Sequence, residues 1–168
     1  MPTDRISLKK LKTSHAMSEE TLAYTADVHL DNKPVLHASN RGLGGADRFH
    51  RHPTATTADL VALTQHARDT LTADGPSAID IELYGDADSA RARLAAYDDH
   101  TVLETLVARL IHAHDLERRI KRLCRNNIVL RDSSGDIYSL KGAYTPERAA
   151  AILKRYPNAT ILNPEHAP

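Results

Sequence analysis

From Thr21 to Asp31 apolar and polar residues alternate almost without a break. Leu22, Tyr24, Ala26, Val28 and Leu30 take one parity; Thr21, Thr25, Asp27, His29 and Asp31 take the other. Period two with one apolar side predicts a strand half buried against another layer. Pro34 to Asn40 continues the pattern, with Leu36 and Ala38 on one parity and Val35, His37 and Ser39 on the other. For both apolar sets to share a face, residues 30 and 34 must pair. Asp31-Asn32-Lys33 is therefore expected as a three-residue hairpin loop, in which Asn tolerates positive φ. That register sets Asp27 opposite His37 and Thr25 opposite Ser39. Arg5 to Thr13 reads as a third strand whose apolar parity switches between Leu8 and Leu11, and a bulge at Lys9-Lys10 repairs the switch.

Arg41 to Pro53 is expected as loop. Thr57 then reads as an N-cap, and Leu60, Leu63, Thr64, Ala67 and Leu71 follow at helical spacing to about Thr72, where Asp74-Gly75-Pro76 stops the helix. Ser77 to Leu83 alternates weakly and is expected as a fourth strand. The chain turns helical again from Asp86 through Tyr97, and once more from about Thr101. In this last helix Leu103, Leu106, Val107, Leu110 and His114 fall on one stripe. Leu116, Ile120 and Leu123 lie about 100° away from it. Either the helix breaks near Asp115, or its two halves contact different bodies. The end of the chain is a ββαβ pattern: strands Asn127 to Asp132 and Asp136 to Lys141, a helix opened by Thr145-Pro146-Glu147, and a short strand Ala159 to Leu162.

The fold class expected is α+β: an N-terminal antiparallel sheet with one helix, a helical middle and a C-terminal ββαβ unit. The organisation expected is an N-terminal part over residues 1–97 and a C-terminal part over 98–168, or both within one compact domain. At 168 residues the chain is long enough to bury a core of its own. Lys plus Arg and Asp plus Glu are 22 each, which weighs against a strongly basic nucleic-acid binder, although local patches survive such an average. Cys124 is the only cysteine, so no internal disulfide forms. No apolar run approaches the roughly 20 residues of a membrane span, and the first residues lack a signal-peptide core. A cytoplasmic protein without a membrane anchor is expected.

Four sets of residues invite a chemical reading. His50 and His52, two apart in extended chain, point the same way and with Asp47 nearby form the candidate metal site. His112 and His114 are also two apart, but on a helix they diverge by about 200° and cannot grip one ion. Gly42, Gly44 and Gly45, between Arg41 and Arg48, form a candidate anion-binding loop, because glycine-rich turns aim backbone N–H groups at an anion. Helix onset comes too late for a P-loop or dinucleotide fingerprint. Asp27, His29 and His37 share the polar side of the predicted hairpin and form a candidate interaction face. Arg118, Arg119, Lys121, Arg122 and Arg125 lie opposite Leu116, Ile120 and Leu123 and form a candidate nucleic-acid-binding face. The ordinary reading of each is also open: wet loop histidines, a turn needing positive φ, cross-strand surface pairs, and a solvated helix face favoured by the helix dipole.

Several stretches resemble small proteins of phage and mobile-element gene neighbourhoods. They are Leu8-Lys9-Lys10-Leu11-Lys12-Thr13-Ser14 with Ser18-Glu19-Glu20-Thr21-Leu22, the Asp31-Asn32-Lys33 turn, and Ser39-Asn40-Arg41-Gly42-Leu43-Gly44-Gly45. Toward the C-terminus, Asp115-Leu116 leading into Ile128-Val129-Leu130 and Gly135-Asp136-Ile137-Tyr138 is similar too. The likeness covers about two-thirds of the chain in separated pieces, and its motifs are structural punctuation. It implies an accessory role against host defence systems, including anti-CRISPR inhibition. The leading expectation is a non-catalytic protein that binds and occludes a partner protein, without a cofactor. The alternatives are a nucleic-acid-binding module on the Arg118 to Arg125 face and a metal-dependent hydrolase at His50 and His52. A homodimer stays open.

Overall fold

The computed structural model describes residues 5–163. The chain is α+β and divides into two compact units, Met1–Ile111 and His112–Pro168. The first unit begins with a four-stranded antiparallel sheet in the order β1-β2-β3-β4: β1 Ile6–Ser14, β2 Ala23–Leu30, β3 Lys33–Asn40 and β4 Arg48–Arg51. The β1 ladder slips between Lys9 and Lys12, and Lys10 takes φ 52°, so the expected bulge is present.

Between β2 and β3 the register Asp27↔His37 and Thr25↔Ser39 is the one the alternation predicts. The turn is shorter than expected. Leu30 pairs with Lys33 across a two-residue Asp31-Asn32 turn, both residues at positive φ (50° and 65°), as a tight hairpin requires. A register shift at Val28/His29 restores the frame by leaving Val35 without an opposite partner. Val35 is 1% exposed, so burial of an extra apolar side chain accompanies the shift.

β4 was expected as loop. Its sequence, Arg-Phe-His-Arg, offers only Phe49 to the apolar side, too short a pattern to read. Pairing with β3 makes it a strand, with Ala38↔Phe49 and His37↔His50.

Helix α1, Thr57–Asp74, starts one residue earlier than read. Thr56 is the N-cap, and a reciprocal capping box with Asp59 satisfies two backbone donors. Leu63, Ala67 and Leu71 are buried against the sheet core with Val28, Leu36 and Ala38. The expected fourth strand at 77–83 is instead helix α2, Ala78–Tyr84. Ser77 and Asp80 form a second capping box, and Asp80 also pairs with Arg109 at 3.2 Å. Capping and this tertiary pair override the period-two spacing. In the helix, Leu83 is left exposed. Helix α3, Ala87–Ala95, is capped by the Asp86 carboxylate, which accepts from the N–H groups of Asp88 and Ser89.

Helix α4, Asp99–Cys124, runs as one element. Val102, Leu103, Leu106, Val107 and Ile111 belong to the first core, whereas Leu116, Ile120 and Leu123 belong to a second. The two stripes read from the sequence therefore serve different bodies, and no break near Asp115 is needed. The division after Ile111 lies later than the 97/98 boundary, because the first turns of α4 are buried in the first core. No helix among the described residues is long and apolar enough to cross a membrane.

The second unit holds a three-stranded sheet in the order β6-β5-β7: β5 Asn127–Arg131, β6 Ile137–Lys141 and β7 Thr160–Ile161. Helix α5, Pro146–Arg155, precedes β7. Ile128 faces Leu140 and Leu130 faces Tyr138. Thr145 caps α5 with Pro146 at its first position. Val129 and Leu162 are buried with Ile120 of α4. Asn163, 3% exposed, fastens this unit: its Oδ1 accepts the Val129 N–H at 2.7 Å, and its Nδ2 donates to the carbonyls of Asn127 and Cys124.

Candidate nucleic-acid interface

The last turns of α4 bury one side and leave the other wet. Ile120 is 3% exposed, with Leu116, Leu123 and Cys124 packed beside it. Arg118, Arg119, Lys121, Arg122 and Arg125 are all exposed. At 100° per residue Arg118, Arg119, Lys121 and Arg122 cover roughly 160° of the helix circumference opposite the core stripe, and Arg125 follows one residue past the helix end. Among the described residues none of the five makes an ion pair or a side-chain hydrogen bond. Asp115, which with Glu117 lies within helical reach of these cations, approaches His114 instead, at 3.8 Å.

Several cations elsewhere have found partners. Arg5 meets Asp31, Arg68 meets Asp99, Arg91 meets Asp88 and Arg109 meets Asp80, while Arg148 donates to the carbonyls of Ala143 and Lys141. The helix dipole accounts for Lys121 and Arg122 in the last turn of α4, but not for Arg118 and Arg119 a turn earlier.

Charge divides along the same line as the fold. Residues 112–168 carry ten Lys and Arg against six Asp and Glu, net +4. Residues 1–111 carry twelve against sixteen, net −4. The neutral total hides this contrast. Sequence reading also passed over Lys141, which the β5–β6 register places across from Asn127, two residues beyond Arg125. It is exposed and extends the basic set. Only the register could have revealed it.

The glycine loop is organised for its own support. Asn40 Oδ1 accepts the N–H of Gly42 at 2.8 Å and the hydroxyl of Thr21. Asn40 Nδ2 donates to Asp47 at 2.8 Å and to the Gly45 carbonyl. The N–H of Asp47 is taken by Glu104 at 2.5 Å, and the Glu20 carboxylate lies against Gly44. Tyr24 donates its hydroxyl to Asp47, and burial together with that carboxylate pushes its pKa up. Two backbone donors are used internally and three carboxylates surround the loop, so its local field opposes an anion. Arg41 and Arg48 are exposed on either side of it.

The candidate metal residues separate. Asp47 is held by Tyr24 and Asn40, His52 turns its Nδ1 to the Thr54 hydroxyl at 2.8 Å, and His50 lies on β4 across from His37. Among the described residues no three His, Cys, Asp or Glu side chains gather to hold an ion.

On the polar side of the sheet, Asp27 is brought to His37 at 3.1 Å and to Lys10 of the β1 bulge at 2.9 Å. Lys10, then His37, holds the Asp27 carboxyl below its ordinary range. A shallow groove of about 560 Å³ runs over Lys10, Lys12, Thr25, Asp27 and His37. His29 is outside it, with its Nδ1 3.0 Å from the Asn32 carbonyl in the turn. Asp27 thus answers both Lys10 and His37 within the groove.

Compared with protein-family models, with curated proteins and with solved structures, the chain matches none of them.

Proposed function

We propose that the chain is a non-catalytic binding protein whose second unit holds the phosphate backbone of a nucleic acid against the 118–125 face of α4. One observation carries this reading: four exposed cations on one face of α4, with Arg125 just past its end, that no carboxylate among the described residues answers. Arg118 to Arg122 spans roughly 6 Å of helix axis at 1.5 Å per residue, with Arg125 just past the helix end, a length that meets neighbouring phosphates. Each Lys or Arg that neutralises a phosphate releases condensed counterions, which is the driving force of such contacts. The net −4 of residues 1–111 repels a polyanion and favours contact through the second unit.

The resemblance to phage and mobile-element proteins suggests a setting in which such a protein covers a target. Occlusion of a protein partner in host defence rests on that resemblance alone, whereas the charge pattern supports nucleic acid. Fluorescence anisotropy with short labelled duplexes of DNA and of RNA tests the proposal. Binding should weaken steeply with salt and fall tenfold or more when Arg118 and Arg122 are both replaced by Glu. Undiminished binding by that double variant overturns it.

A further inference from the structure

Strand alternation gives the second sheet two faces. Val129 and Ile137 turn toward α4, so Tyr138 and Leu140 turn to the other side. There, between β6 and the end of α5, lies a concavity of about 460 Å³ whose lining includes Tyr138, Leu140, Asp132, Arg155, Tyr156 and Asn158. Tyr138 is 50% exposed, Tyr156 44% and Leu140 37%, so three large side chains stand open around one hollow. The Arg155 guanidinium sits 5.7 Å from the centroid of the Tyr156 ring. Asp132 Oδ1 accepts from the Ser134 hydroxyl at 2.6 Å and from the N–H groups of Ser134 and Asp136 at 2.9 Å, which fixes the carboxylate at the rim.

We infer that this concavity binds the base of an unpaired nucleotide, the ring stacking on the tyrosines, its polar edge meeting Asp132 and Asn158, and its phosphate facing Arg155. Three features select this occupant. Tyrosine rings beside a guanidinium are the surface on which bases stack in single-strand recognition. The volume falls in the range of small-molecule sites and is too small for a helix. The rim offers an acceptor carboxylate and an amide that both donates and accepts, matching the mixed edge of a base. The inference rests on the proposed function only for the source of the ligand; its residues are distinct from the α4 face.

The test titrates the full chain with each of the four ribonucleoside monophosphates, using ribose 5-phosphate and inorganic phosphate as probes without a base. Tyrosine emission is readable because the chain has no tryptophan. NMR shift mapping gives a second readout. Saturable binding of at least one monophosphate is expected, weakened tenfold or more in Tyr156→Leu and Tyr138→Leu, which keep apolar volume but remove the ring. Tyr138→Phe, which keeps the ring, should bind like the parent. Ribose 5-phosphate binding as tightly as the nucleotides, no monophosphate binding at all, or leucine variants that bind unchanged would each overturn the inference. The Arg118→Glu/Arg122→Glu variant should retain monophosphate binding, so failure of the helix face and failure of the pocket are told apart.

Discussion

The Asn40 side chain and the Gly42 backbone close on one another: Asn40 Oδ1 accepts the Gly42 N–H at 2.8 Å, and the Gly42 carbonyl takes the N–H groups of Glu19, Glu20 and Thr21. Gly42 has φ 84°, and a Cβ there would stand 2.1 Å from the Met17 carbonyl oxygen. Gly42→Ala should therefore lower stability by about 3 kcal/mol, combining left-handed strain with a clash against backbone. Gly45→Ala, at φ 94° with nothing within 4 Å, should show only the strain, about 1–2 kcal/mol. Urea denaturation of the two variants measures the difference, and equal losses would contradict this account of the loop.

The Asp27 carboxyl is held below the ordinary carboxylate range by Lys10 and then His37. Its folded pKa is thus lower than its unfolded one, near 3.9. The contribution to stability is present above that unfolded value and fades as pH falls through the folded one. Asp27→Asn should be less stable than the parent by about 1 kcal/mol at pH 7. The two should converge as acid is added below about pH 4. Denaturation curves across that range decide it; a gap that persists in acid would assign the loss to packing.

Asn163 is 3% exposed and answers the buried Val129 N–H. Asn163→Ala should cost about 2–4 kcal/mol, because that donor and two carbonyls lose their partner inside the second unit. Hydrogen exchange at the Val129 amide should accelerate in the variant. Unchanged exchange would show that another acceptor takes over.

For the helix face, salt dependence separates phosphate contact from other binding. If all five cations engage duplex DNA, log affinity should fall against log salt with a slope of about −4.5. Arg118→Glu/Arg122→Glu should flatten it while thermal stability stays within about 0.5 kcal/mol, since both positions are exposed. A slope near zero in the parent contradicts the proposal.

Much of the fold was legible because two periods are strong in this chain. The β2–β3 register followed from alternation, and the two α4 stripes followed from 100° steps. The hairpin turn is one residue shorter than alternation predicts, and Val35, an apolar side chain on the polar parity, marks the register shift that buries it. Ile79, Ile81 and Leu83 recur every second position and predict a strand where α2 forms, because the capping signal of Ser77 and Asp80 prevails. Strand β4 has one apolar residue and is made by its neighbour. At the candidate site, the basic face could be read from spacing. Its lack of counter-charges could not, since Asp115 and Glu117 lie within helical reach of the arginines and only the side-chain placement shows that they do not pair.

The opposite net charges of residues 1–111 and 112–168 make the isoelectric point a poor guide to how this molecule meets a surface. A resin or an interface samples the nearest few charges within a Debye length, about 10 Å at 0.1 M salt, and not the sum over the chain. Near pH 7.2, where the average charge vanishes, the protein should still be retained on a sulfonate cation exchanger by its second unit and on a quaternary-amine resin by its first.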